Sequence, residues 1–557
     1  MLIFGVKNIS MRIRSLSILM FLFSFIVVIA QQPAFTHQDT LRGSITPERA
    51  WWDLTYYHLD IEANPFDSSL HGSNTIYYKV LYAKKVMQID LQQPMAISQV
   101  IQNEQELNFR RVGNVYYIEL TDDQVQGEVN SISIFYSGKP LVTKRPPWDA
   151  VLTWRFDDNG NPFFATSCQG EGASLWWPCK DHMYDEPDSM LMSFTVPKDL
   201  IAVGNGRLKK IEKNKKDKTK TYHWFVSNPI NNYCVNMNVG DYVHFGEVYD
   251  GEKGPLDCDY YVLSYNLKKA KDHFKQVPMM LEAFEYWFGA YPFYEDSYKL
   301  VEVPYPGMEH QSSVTYGNGW ENGFSGRDIS HSGWGDQFDF IIIHESGHEW
   351  FANSITYKDI ADMWVHEGFI AYSENLYIDY HYGKGASSEY VRGTRLNIKN
   401  DRPIIGYYDV NYSGSGDMYP KGANMLHTLR QIVNNDSVWR SLLRGLNEEF
   451  YHQTVTTSQI ENYLDERIDT NLAPFFDQYL RDVRIPVFEY AIIDGNLRYR
   501  WANVIDGFDM PIFVYLNNEK QILNPTTLWS NIEVPENITE IEVDKDFYVV
   551  PFNVTSW

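Results

Sequence analysis

The stretch that most constrains this chain is 339–374, DFIIIHESGHEWFANSITYKDIADMWVHEGFIAYSE. Its apolar residues Ile341, Ile342, Ile343, Trp350 and Phe351 predict a buried helix. Polar groups buried without partners are costly, so the histidines and glutamates of His344-Glu345-Ser346-Gly347-His348-Glu349 need a reason to be there. Histidines four apart stand on one helical face, with Cβ atoms about 5–6 Å apart, and can reach one ion. Eighteen residues separate His348 from Glu367, which opens a second helical run to Tyr380. Two imidazoles and one carboxylate make a tetrahedral zinc site whose fourth position stays open to water. The pattern predicts one Zn2+ on His344, His348 and Glu367. Glu345, beside the first ligand, can reach that water without binding the metal.

At 557 residues the chain has room for three or four domains. A hydrophobic content of 44% with 15% aromatics excludes a disordered chain. A net charge of −24 argues against nucleic acid as a partner. Arg12 and Arg14 precede the apolar run Leu16 to Ala30, which is followed by Gln31-Gln32. This is the pattern of a cleaved export signal over 1–30. At fifteen residues the run falls short of a membrane span, which takes about 20. The expectation is a periplasmic or extracellular protein with no stable membrane insertion after cleavage, tethered only where the segment stays uncleaved. Cys168, Cys179, Cys234 and Cys258 allow three pairings, and none has zinc-knuckle spacing.

Residues 31–249 read as a β-rich domain, with period-two alternation as in 56–61 (YYHLDI) and 115–120 (VYYIEL). The basic run 209–220 (KKIEKNKKDKTK) reads as a solvated hairpin tip. From about 263 the texture becomes helical, with periodicity over 268–288 and again over 422–433, 437–451, 457–467 and 473–480. A Gly-rich loop, 316–335, leads into the histidine helix, and residues 250–483 read as one segment. After Arg484-Ile485-Pro486, strands return and predict a small C-terminal β-sandwich over 484–557. The fold class is therefore multidomain α+β.

Three motifs in order, spread over more than 100 residues, resemble the zinc (gluzincin) aminopeptidases of the aminopeptidase N family. They are Pro306-Gly307-Met308-Glu309-His310, the His344 to Glu374 segment, and Tyr419-Pro420-Lys421-Gly422. The resemblance implies a thermolysin-like, mostly α catalytic domain in which Tyr419 is catalytic beside Glu345 and Glu374 orients a zinc histidine. It implies that Gly307, Met308 and Glu309 meet the substrate's free amine. The stretch 167–172 (SCQGEG) is similar to the family's second amine-contacting segment and puts Gln169 there. The substrates implied are peptides with a free N-terminus. Departures from the pattern are Pro306 for Gly, His310 for Asn, Glu349 for the frequent Gln, and His366 for the frequent Asn; the last three add titratable groups near the site. The helical lid domain of many members has no counterpart in this sequence. An inactive family scaffold and an epoxide-opening hydrolase are the alternatives. The first is disfavoured because ligands and base are all present, the second because it relies on a C-terminal region not found here.

Overall fold

The computed structural model describes residues 33–554 apart from 536, 537 and 539, so the predicted export signal lies outside the described residues. The described residues from Gln38 onward form one compact unit. No described helix is long and apolar enough to cross a membrane.

The N-terminal half is β-rich, as the alternation predicts. In the long strand Trp52–Asn64, Leu59, Ile61 and Ala63 are buried while Asp60, Glu62 and Asn64 face water. This strand is central in an eight-stranded sheet, pairing antiparallel with Ser69–Val80 and parallel with Ser189–Pro197. The basic run forms the hairpin Arg207–Asn214/Thr219–Val226 at the edge of that sheet. Lysines on an exposed edge discourage pairing with another chain. A three-stranded and a four-stranded sheet share the core, which includes Trp51, Trp52, Trp176, Trp177 and Trp224.

The catalytic segment starts with a hairpin, Tyr242–Gly251 and Gly254–Leu263, that joins Tyr298–Glu302 in a five-stranded sheet. The predicted boundary at 249/250 therefore cuts through a strand, and the change of sheet comes at about residue 241. Val314–Tyr316 and the short strand Gly307–Met308 complete the sheet at its other side. The single helix expected over 268–288 is two, Leu267–His273 and Gln276–Phe288. Pro278 explains the break: its ring would clash with the carbonyl four residues back, at Phe274, so it fits only the first turn of a new helix.

The C-terminal part has a four-stranded and a three-stranded sheet, in keeping with the expected sandwich. Its first strand, Val487–Ile493, pairs in parallel with its last, Val550–Asn553. One apolar core runs from the catalytic helices into these sheets, with Ile341, Phe369 and Leu426 in the same cluster as Phe488, Trp501 and Tyr548. All four cysteines are buried free thiols.

Candidate active site

Asp339 starts the histidine helix, Phe340–Gly347, by accepting a hydrogen bond from Ile342 N at 3.1 Å. The other oxygen of Asp339 accepts from His273 Nε2 at 2.6 Å and from Tyr316 OH at 3.0 Å, which fixes the cap. His344 lies in the last turn and His348 caps its end, with their rings 5.1 Å apart. Phe340 stacks on His344 with ring centres 4.8 Å apart. The second helix, Trp364–Tyr382, carries Glu367 in its first turn and Glu374 two turns on.

Each imidazole has one nitrogen tied. His344 Nδ1 donates to Glu374 Oε1 at 2.7 Å, and His348 Nδ1 donates to the Phe351 carbonyl at 3.1 Å. With Nδ1 carrying the proton, Nε2 keeps its lone pair. The two Nε2 atoms lie 3.7 and 3.5 Å from Glu367 Oε2, a buried oxygen with no hydrogen-bond partner of its own. Its other oxygen accepts from Gln169 Nε2 at 3.0 Å. The donor atoms of His344, His348 and Glu367 all fall within 4.8 Å of one another. An orphaned carboxylate oxygen facing two imidazole lone pairs fits a zinc ion in chemistry and in spacing.

Electrostatics agree. Burial alone would lower the pKa of both histidines, yet Glu367, joined by Glu374 at His344, raises both above the ordinary value. Burial pushes Glu345 up to about 7 against the pull of His344, and raises Glu309 as well. The pocket thus favours positive charge at its histidines and disfavours further negative charge on Glu345 and Glu309.

These residues open on a cleft of about 80 Å³ that Gln169, Gly307, Met308, Glu309, Glu345 and Tyr419 also line. Gly307 must be glycine: a Cβ there would sit 2.5 Å from Ile341 Cγ2 and 2.9 Å from the Thr315 carbonyl. This brings the Gly307–Met308 strand hard against the histidine helix. Tyr419 precedes Pro420–Val433, with Pro420 in the first turn where its missing N–H costs nothing. That helix meets the glutamate helix at a glycine contact, a Cβ on Gly422 falling 2.9 Å from Gly368 Cα. Tyr419 consequently faces His344, ring centres 6.1 Å apart. Burial, with Glu367 and Glu309 nearby, raises its pKa well above the ordinary value, so the hydroxyl stays a proton donor.

All predicted site residues therefore come together, with one difference of partner. Gln169, expected at the substrate amine, is bonded to the ligand Glu367. Residues not singled out from sequence complete the site. Tyr233 donates to Glu309 Oε1 at 3.1 Å, Asn353 Nδ2 donates to the Glu309 carbonyl at 2.9 Å, and Tyr390 donates to Glu374 Oε2 at 2.5 Å. The unusual titratable groups are kept out of the cleft lining. His366 Nε2 accepts from Tyr357 N at 2.8 Å, burial drives His310 down to about 3, and burial lifts Glu349 to about 8 while Ser312 N donates to it.

Two histidines on one helix, a glutamate on the next, and a free carboxylate beside them make the donor set of an H-E-x-x-H zinc site. More narrowly, residues 273–479 match the profile of the Peptidase family M1 domain, in keeping with the aminopeptidase N resemblance. Among characterised relatives, the chain is 23% identical over 179 residues to aminopeptidase N of Lactococcus lactis subsp. lactis (29% of this chain, 20% of the relative). It is 21% identical over 399 residues to probable aminopeptidase 1 of Sulfurisphaera tokodaii (66% and 48%). It is also 23% identical over 328 residues to leukotriene A-4 hydrolase of Xenopus laevis (55% and 49%). The chain thus spans a fifth to about half of these relatives' own length. The fold is shared with an M1 zinc metallopeptidase of Deinococcus radiodurans, with TM-score 0.65 and 18% identity, covering 79% of this chain and 96% of the other.

Proposed function

We propose that the protein is an exported zinc metallo-aminopeptidase that removes N-terminal residues from peptides with a free amine. The observation that carries this reading is the convergence of His344 Nε2, His348 Nε2 and Glu367 Oε2 in a cleft that also holds Glu345 and Glu309. Zinc bound there supplies Lewis acidity, bringing the pKa of water in the cleft to roughly 7. Glu345 takes the proton of the attacking water and hands it to the leaving amine. Tyr419 donates its hydroxyl to the carbonyl oxygen as negative charge develops there. Glu309, held by Tyr233 and Asn353, pairs with the α-ammonium and measures one residue from the chain end. Gln169 lines the same cleft and steadies Glu367. The basic residues Arg12 and Arg14 ahead of the apolar run 16–30 support export.

Two measurements test this. Metal analysis of the purified protein should find close to one zinc per chain, and a panel of aminoacyl-arylamides should be cleaved, lost on chelation and restored by zinc. N-acetylated versions of the same substrates should resist cleavage. Activity that survives exhaustive chelation, or equal rates on blocked and free amines, would overturn the reading. For export, N-terminal sequencing of protein recovered from outside the cytoplasm should begin just after Ala30; a chain that still begins at Met1 would sink that part.

A further inference from the structure

Trp148 is the most exposed tryptophan described, with 67% of its surface open. Most others are buried, and the next most exposed, Trp529, is covered by the guanidinium groups of Arg498 and Arg500. The Trp148 indole has no such partner among the described residues, yet it stands at the wall of the catalytic cleft. Single exposed apolar side chains are common on surfaces; it is the place of this one on the cleft wall that makes it a candidate substrate contact. The loop that presents it is fixed. Asp149 accepts from Thr143 Oγ1, from Lys144 N at 3.0 Å and from Arg145 N at 2.8 Å. Trp148 N closes a turn onto the Arg145 carbonyl at 2.9 Å, and Ser167 Oγ donates to the Pro147 carbonyl at 3.4 Å. Loop position is thus set by hydrogen bonds, while the indole is left uncovered.

The same cleft is lined by the apolar side chains of Met308, Phe324 and Ile341. Phe324 is itself braced edge-on by Phe340, ring centres 5.6 Å apart. Among the described residues no lysine or arginine lines the cleft, so an acidic side chain would lose water without gaining a partner. The carboxylates present, Glu309, Glu345 and Glu367, are already engaged by the amine, the water and the metal in the proposed reaction.

From this geometry we infer that Trp148 is a specificity-determining residue: it covers the side chain of the substrate's first residue, and the enzyme favours large apolar or aromatic N-terminal residues. The inference rests on the aminopeptidase reading above. The test is kcat/KM on Ala, Leu, Phe, Asp and Lys arylamides with the zinc-loaded wild type, Trp148→Ala and Trp148→Phe. Leu and Phe should lead in the wild type, and Trp148→Ala should cut the Phe-to-Ala ratio by about 10-fold, the scale of a lost apolar contact in a specificity pocket. Trp148→Phe should restore most of it. An unchanged ratio in Trp148→Ala, or Asp or Lys as the best substrate, would overturn the inference. Should zinc-loaded wild type cleave none of the panel, the aminopeptidase reading fails on its own. Calorimetric titration with L-phenylalanine and L-alanine then decides the pocket: tighter binding of phenylalanine, lost in Trp148→Ala, upholds it, and equal binding refutes it.

Discussion

At the scale of single residues, each metal-facing histidine is aimed by the hydrogen bond on its other nitrogen. Glu374→Ala leaves His344 Nδ1 without its acceptor, so zinc affinity should fall about 10–100-fold, as for other partners of metal-bound histidines. Competition with a chelator measures it; unaltered affinity would make Glu374 a mere packing group. Glu345→Gln should keep the metal and lose about 10²–10⁴-fold in turnover, the usual worth of a general base. Near-normal rates with zinc bound would remove Glu345 from the chemistry. Glu309→Ala should cost several kcal/mol on free-amine substrates, because a buried charge is left with no partner, while zinc content stays intact. A variant as active as wild type on free amines would show that another group reads the amine. The clustering of His344, Glu345 and His348 was legible in the sequence because a helix repeat fixes their spacing, whereas Glu367, on the next helix, was placed there by the family resemblance and its carboxylate chemistry. Tyr233 was not: it lies 76 residues from Glu309 in sequence, and nothing local distinguishes it from the other 38 tyrosines.

At the scale of elements, catalytic geometry depends on how closely helices approach. The helix Pro420–Val433 and the glutamate helix touch through Gly422 and Gly368, and Tyr419 stands at the start of the first of these. Gly422→Val would force the two apart and carry the Tyr419 hydroxyl with them. Misplacement by about 1 Å can cost some 10²-fold in rate, so kcat should fall by that order with metal content unchanged. A folded variant with wild-type kcat would show that the contact does not set the position of Tyr419. Helix boundaries were less readable than the helices themselves. The helix expected from Gly422 starts at Pro420, and the last one, expected over 473–480, is Ala473–Phe476 followed by a wider π-type turn, Asp477–Arg481. Periodicity reports a buried face, whereas ends depend on caps and neighbours that lie far along the chain. Pro278, which splits 268–288, is the exception: its effect is local and could have been read.

At the scale of the whole molecule, alternation marked the C-terminal sheets correctly, but their dependence on the helical core was not visible, since it is written in contacts between residues far apart in the chain. Tyr548 N donates to Thr428 Oγ1 at 3.0 Å, and Tyr479 OH donates to the Tyr548 carbonyl at 2.8 Å. Asp546 sits 3.4 Å from His427 and 3.3 Å from Arg392. A chain stopped at 483 would expose the face of Pro420–Val433 that these groups cover, and should be recovered insoluble or protease-sensitive. A soluble 1–483 with full activity would refute the shared core. The parallel pairing of Val487–Ile493 with Val550–Asn553 also has a consequence in time. Synthesis delivers both histidines, both glutamates and Tyr419 long before that closing strand emerges, yet the helix behind Tyr419 gains its last packing only with residues 546–550. A nascent chain therefore carries the whole cluster in an unfinished frame until that strand emerges.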